Sequence, residues 1–204
     1  MTKKAKLTTA QVESMLTAFD FSQLPKPSKN KGRRGQLLEE ALGIDNGNSL
    51  TDLTDGELKT FTISQSIAVT SLGHCLPEII DKSLAFRESK LFAKLKQVIF
   101  VGYNRDGNFS NWKTVNESTF GEYYRKFEED YDFISGKIRT KYENRRELHT
   151  ITGPNKLLQI RTKASKKSDG SYTPLNYNGV YLKNKYMSFF LLAKFGKEVL
   201  KKNT

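Results

Sequence analysis

Residues 52–60 read Asp-Leu-Thr-Asp-Gly-Glu-Leu-Lys-Thr. Side chains alternate between the faces of a β-strand, so Glu57 and Lys59 are expected on one side while Leu58 points into a core on the other. With Asp52 just upstream, two carboxylates and an ammonium come to share one place. Carboxylate oxygens suit Mg²⁺, which keeps several waters, and an adjacent lysine orients or helps deprotonate such a water. That is equipment for metal-assisted phosphodiester hydrolysis. An acidic-x-Lys triplet alone is also a common solvated strand face, so the surrounding sequence has to decide.

Upstream, Leu37, Leu38, Ala41 and Leu42 form a helical stripe with Gly43 placed as a C-terminal cap. Glu39 and Glu40 flank that stripe about equally, and spacing does not choose between them. Further back, Val12, Met15, Leu16 and Phe19 predict an amphipathic helix from Thr9 to Phe21, ended by the proline-bearing linker LPKPSKNKG. Downstream, the Thr-, Ile- and Phe-rich run from Glu57 to about Val69 reads as one strand. Residues 88–96 read as a charged helical or extended piece containing Lys94, followed by the buried strand QVIFVG and the turn YNRDGN. Phe127, Tyr131, Ile134 and Ile138 recur at helical spacing, which places the acidic cluster Glu128, Glu129, Asp130 and Asp132 on the wet side of that helix. The last third shows strands at 157–161 and 179–182, a polar loop KASKKSDGSY, and a helix carrying Tyr186, Phe189, Phe190, Ala193 and Phe195.

The 204 residues suffice for one large domain or two intimate lobes, and the net charge of +12 calls for a polyanionic partner such as nucleic acid, with an anionic membrane surface as competitor. The distribution is telling: residues 151–204 carry eleven Lys or Arg against two acids, residues 1–36 eight against two, and the middle is slightly acidic. Basic walls around an acidic centre suit DNA held beside bound metal, whereas the plainer alternative is a lysine-rich solubility surface. Cys75 is the single cysteine, which excludes an internal disulfide and a zinc site built on paired cysteines. A reducing, cytoplasmic setting is expected, since the opening MTKKAKLTTA lacks a secretory apolar stretch and no run is long enough to cross a bilayer. No P-loop, dinucleotide fingerprint or H-E-x-x-H occurs, and His74 and His149 lack ligand spacing. Cys75 beside His74 reads as packing, because adjacent side chains point apart. Arg161 and Lys163, two apart at a strand end, suit base or phosphate contacts, and Tyr181 offers a ring or hydroxyl to a base.

Five blocks in order, KGRRGQLLE, DLTDGELKT, KLKQVIFV, LQIRTKA and GVYLKNKYMSFFLLAKF, resemble the MutH family of GATC-specific endonucleases, which includes mismatch-repair enzymes and type II restriction enzymes. The resemblance runs from Lys31 to Phe195. It implies an α/β (α+β) restriction-endonuclease-like fold, a mixed central sheet flanked by helices, with two lobes forming a DNA cleft. It also implies Mg²⁺, one or two ions, held by Asp52 and Glu57, with Lys59 as catalytic lysine, Glu39 as the helix-borne acid and Lys94 as a further active-site lysine. Lys31, Arg161, Lys163 and Tyr181 match positions that contact DNA, read the site and sense adenine methylation. The loop before GELKT is shorter than in the repair enzymes, which leaves Asp55 as an alternative to Asp52, and Thr162 stands where the family has proline.

The expectation is therefore a single endonuclease domain over residues 1–204: about 1–30 an N-terminal helix and linker, 31–150 the catalytic part, 151–204 the DNA-recognition part. Its partner is double-stranded DNA, cut at or near GATC in a methylation-sensitive way by a type II restriction enzyme, with a cognate DNA methyltransferase in the same system. One alternative is a strand-nicking mismatch-repair endonuclease activated by a repair partner. Another is a non-catalytic DNA-binding effector module.

Overall fold

The computed structural model describes residues 6–25, 33–44 and 50–201. Lys31 and most of the proline-bearing linker lie outside them. In chain order the elements are α1 (Thr9–Ala18), α2 (Arg33–Leu42), β1 (Glu57–Thr62), β2 (Ile67–Ser71), α3 (Leu72–Leu76), α4 (Lys90–Leu95), β3 (Gln97–Tyr103), β4 (Phe109–Asn116), α5 (Glu117–Glu143), β5 (Ile151–Thr152), β6 (Leu158–Thr162), β7 (Leu175–Tyr177), β8 (Val180–Lys183), β9 (Met187–Leu191) and α6 (Ala193–Lys201). The protein is thus mixed α and β. Among the described residues no helix is long and apolar enough to cross a membrane.

The chain forms two compact units: Met1–Gln65, Ala93–Phe120 and Gly196–Thr204 make the first, Ser66–Phe92 and Gly121–Phe195 the second. One crossing between them falls at Phe120, where α5 kinks through a non-helical backbone conformation. In the first unit β3 is central, parallel to β1 and antiparallel to β4. Its residues from Val98 to Tyr103 are all buried, as the continuous apolar run predicts. Leu58, Ile99 and Val101 on the sheet meet Val12 and Leu16 of α1 and Leu38 and Leu42 of α2 in one core cluster. Thr8 opens α1 with a capping box, its side chain accepting from Gln11 N–H while the Gln11 side chain returns to the Thr8 N–H. Helix α1 stops at Ala18 rather than Phe21, and Met15 is turned toward solvent rather than inward. Gly43 has φ 70°, the left-handed conformation of a C-terminal cap, as its position after α2 suggests.

In the second unit β2, β9, β6 and β5 form an antiparallel sheet in that order, and β7 and β8 a separate hairpin. Asn178 and Gly179 turn that hairpin with φ 45° and 76°, the two left-handed residues that a tight hairpin turn demands. Phe127, Tyr131, Ile134 and Ile138 of α5 are buried as their spacing predicts, and the Tyr131 ring stacks over Phe189 of β9 at 6.2 Å.

Three expectations are corrected. The run from Glu57 to Val69 is two strands of different sheets, β1 and β2, separated by a turn in which Ser64 takes φ 73°. The polar Ser-Gln-Ser step interrupts the alternation there. The aromatic stretch expected as a helix is β9, an inner strand of the four-stranded sheet, with the helix beginning only at Ala193. All five β9 side chains are buried, and a short fully buried strand shows neither period, so Phe189 and Phe190 match a helix equally well. Finally, Asp130 is fully buried rather than on the wet face of α5. Three residues after Phe127 and four before Ile134, it lies on the inward stripe, where its carboxylate accepts backbone N–H groups of Asn155, Leu157 and Leu158 at 2.7, 2.9 and 2.8 Å. A buried acid on an apolar stripe is stable only with such partners.

Candidate active site

The strand geometry of β1 builds the site. Leu58 enters the core of the first unit, which sends Glu57 and Lys59 to the other face, as alternation predicts. Glu57 is fully buried, and each of its oxygens faces an ammonium. Lys59 Nζ donates to Oε2 at 2.7 Å, and Lys94 Nζ, at the end of α4, donates to Oε1. Asp52 joins from the preceding loop, its Oδ2 accepting the Leu58 N–H at 3.3 Å and lying 3.6 Å from Lys59 Nζ. Two carboxylates and two lysines, up to 42 residues apart in the chain, thus share one cluster.

The other acids sort by what they touch. Asp55 is used up locally: Oδ1 accepts both the N–H and the hydroxyl of Thr9 at 2.7 Å each, and Oδ2 accepts from the Gln97 side chain at 3.2 Å. It ties the start of α1 to the start of β3 and makes none of the contacts that join Asp52 to Lys59. On α2, Glu40 is exposed and pairs with Arg33 at 3.1 Å. Glu39 is half-buried and senses the charges of Asp52 and Lys59. With Leu38 and Leu42 pinned in the core, the helical step turns Glu39 toward the cluster and Glu40 away, a choice that spacing alone left open.

Two glycines permit these approaches. A Cβ on Gly56 would lie 2.6 Å from the Gln97 carbonyl oxygen and 2.9 Å from Thr9 Oγ1, and one on Gly35 would lie 3.0 Å from Thr60 Oγ1. Gly56 lets β1 begin hard against β3 and α1, one residue before Glu57. The sequence signal for this role is a glycine immediately before the acidic-x-Lys triplet, which alternation and helical spacing do not pick out.

The electrostatics follow from burial. Desolvation raises the Glu57 carboxyl to about 7, helped by its hydrogen bond with Asp52 and opposed by Lys59. Burial also raises Glu39, with Asp52 adding to the effect. For Asp52 burial acts upward, yet the hydrogen bond with Glu57 and the charges of Lys59 and Lys94 outweigh it and leave the carboxyl below its ordinary value. Burial would lower Lys59, but Glu57 and Asp52 hold its ammonium above the ordinary lysine value.

Among the described residues no group of three His, Cys, Asp or Glu side chains is placed to hold a metal ion. The donor chemistry still fits a hard cation, because Mg²⁺ takes one or two carboxylates and fills the rest of its shell with water. Asp52 and Glu57 are such a pair, with two lysine ammoniums now supplying the positive charge beside them.

Of the expected DNA contacts, Arg161, Lys163 and Tyr181 lie in the second unit and are described there alone, while Lys31 lies outside the described residues. Arg161 is half-buried on β6, its guanidinium 4.1 Å from the centre of the Phe190 ring. Lys163 follows the strand, exposed, with its N–H bonded to the Tyr186 carbonyl at 2.9 Å. Tyr181 on β8 is 50% exposed. His74 is exposed and Cys75 buried, its thiol pushed by desolvation up to about 12, so this pair is no nucleophile and base. No family model matches the chain, and comparison with curated proteins yields no match either.

Proposed function

We propose that the protein is a Mg²⁺-dependent, sequence-specific DNA endonuclease of the MutH type, cutting at or near GATC as a type II restriction enzyme. The observation that carries the reading is the convergence of Asp52, Lys59 and Lys94 on the buried Glu57 in one partly exposed cluster, with Glu39 near enough to feel the charges of Asp52 and Lys59. A restriction-endonuclease-like architecture with two DNA-gripping lobes belongs to the same proposal, as do a cytoplasmic location and a cognate DNA methyltransferase.

In this mechanism Asp52 and Glu57 are the metal-holding carboxylates. Mg²⁺ bound there would supply a Lewis acid for the scissile phosphate and lower the pKa of a bound water. Lys59 keeps its proton beside both carboxylates and offers a fixed positive charge to the phosphate oxygens as negative charge accumulates. Lys94 donates to the second Glu57 oxygen and places a second ammonium against the buried acid. Glu39, whose carboxyl is raised by burial and by the charge of Asp52, is the helix-borne acid of the site.

A second reading has its own support. Glu57 already has an ammonium on each oxygen, so the cluster balances its charge without a metal and would also serve a catalytically silent DNA-binding module. The test is incubation of the purified chain, alone and in Mg²⁺, with unmethylated and hemimethylated GATC duplexes, against Glu57→Ala. Cleavage of both strands, abolished in the variant, supports the restriction enzyme. Nicking that requires a repair partner supports the mismatch-repair alternative. Absence of cleavage in the parent protein, with DNA binding retained, supports the silent module.

A further inference from the structure

Strands β6 and β9 pair so that Gln159 opposes Phe190 and Arg161 opposes Ser188. Directly opposed residues share a face, which puts Gln159, Arg161, Ser188 and Phe190 together. Leu158, Ile160, Phe189 and Leu191 take the other face, all fully buried, with Phe189 against Tyr131 of α5. Arg161 and Phe190 are therefore diagonal neighbours on the more polar face, and the guanidinium carbon sits 4.1 Å above the Phe190 ring centre. Phe190 is 7% exposed and lies on an inner strand of the four-stranded sheet.

Among the described residues Arg161 is one of three cations of this unit held against a ring without a carboxylate, with Lys137 over Phe133 and Lys185 over Tyr172, and the one of the three that carries a planar guanidinium fork. In the same unit Arg87, Lys90, Arg125, Lys126 and Lys183 each pair with a carboxylate. Among the described residues the Arg161 guanidinium has neither an ion pair nor a hydrogen bond, only the ring beneath it. A guanidinium carries its five N–H donors in its own plane, and a ring 4.1 Å from its carbon takes up none of them as a hydrogen bond. An arginine that merely covered an apolar ring would equally be replaceable by lysine, whose stem covers as well but whose head has no fork.

We propose that Phe190 is a positioning residue, a rigid platform that holds Arg161 flat and aims its donor edge at guanine O6 and N7. The inference rests on the endonuclease reading above. Bidentate reading of guanine needs the fork held in one plane, and stacking removes rotational freedom before DNA arrives. Strand β9 supplies the rigidity, because its neighbours β2 and β6 fix it on both edges.

The experiment compares the full-length protein with Phe190→Leu and Phe190→Met, which keep apolar bulk without a ring, with Phe190→Tyr, which keeps the ring, and with Arg161→Lys. Affinity is measured for a GATC duplex and for the same duplex carrying 7-deazaguanine, which lacks the N7 acceptor. The parent protein and Phe190→Tyr should prefer natural guanine, and the ring-free variants should lose roughly threefold to thirtyfold of that preference. Arg161→Lys should remove it in the parent and change little in a ring-free background. Independently of DNA, NMR of the arginine Nε–H groups should show Arg161 ordered in the free parent protein and mobile in the ring-free variants. If folded ring-free variants keep the parent's preference, or if Arg161 is equally ordered in them, the platform is overturned while the endonuclease reading stands. If the parent protein neither distinguishes the duplexes nor cleaves DNA in Mg²⁺, the endonuclease reading falls and takes the platform with it.

Discussion

Replacing Glu57 by glutamine keeps its shape and removes its titration, which makes the buried carboxyl readable as a pH dependence of stability. The carboxyl titrates at about 7 in the folded protein against 4.5 for an ordinary glutamate. A raised acid binds its proton more tightly folded than unfolded, so its stabilising contribution is complete below 4.5 and is lost as the pH rises through 7. At about 1.36 kcal/mol for each tenfold change in proton affinity, that gap amounts to about 3 kcal/mol. The assay is urea denaturation of parent and Glu57→Gln in metal-free buffer from pH 4.5 to 8.5. The difference in unfolding free energy, parent minus variant, should fall by about 3 kcal/mol across that range. In the parent, Asp52 and Lys59 titrate outside this range. Asp52, lowered, loses its contribution only as the pH falls below its ordinary 3.8, and Lys59, raised, loses its own only above 10.5. Glu39 slopes in the same direction as Glu57 but is present in both proteins. If Asp52 and Glu57 hold Mg²⁺, adding it should flatten the parent's dependence, because a bound cation favours the ionised acid. A flat difference in metal-free buffer would refute the claim that Glu57 is desolvated in the folded state.

Asp130→Ala should destabilise the protein by about 3–5 kcal/mol in the same assay, because three backbone N–H groups lose a charged acceptor, two of them at buried residues. Gly56→Ala should cost about 1–3 kcal/mol and lower cleavage with it, since the added methyl meets the Gln97 carbonyl and displaces the start of β1. Glu39→Ala and Glu40→Ala should part company in a cleavage assay: the first reduces the rate, while the second leaves it near the parent's and changes stability by less than about 0.5 kcal/mol, because the Arg33 pair is exposed.

Much of the site was legible because it depends on local rules. Period-two alternation by itself places Glu57 and Lys59 on one face and Leu58 in the core. Helical spacing found the buried stripe of α5, a continuous apolar run found β3, and a glycine after a periodic segment marked the end of α2. These signals arise from backbone geometry within a few residues, so composition and spacing carry them.

Other features depend on partners distant in sequence. That Glu39 rather than Glu40 turns to the cluster follows from how Leu38 and Leu42 seat α2 against β1. Asp52 rather than Asp55 meets Lys59 because Thr9 and Gln97 claim the other acid. Asp130 is buried because a loop more than twenty residues away supplies its donors, and β9 is a strand because β2 and β6 pair with both its edges. A short apolar run or an acid on a stripe is compatible with several environments, and long-range hydrogen bonding selects among them.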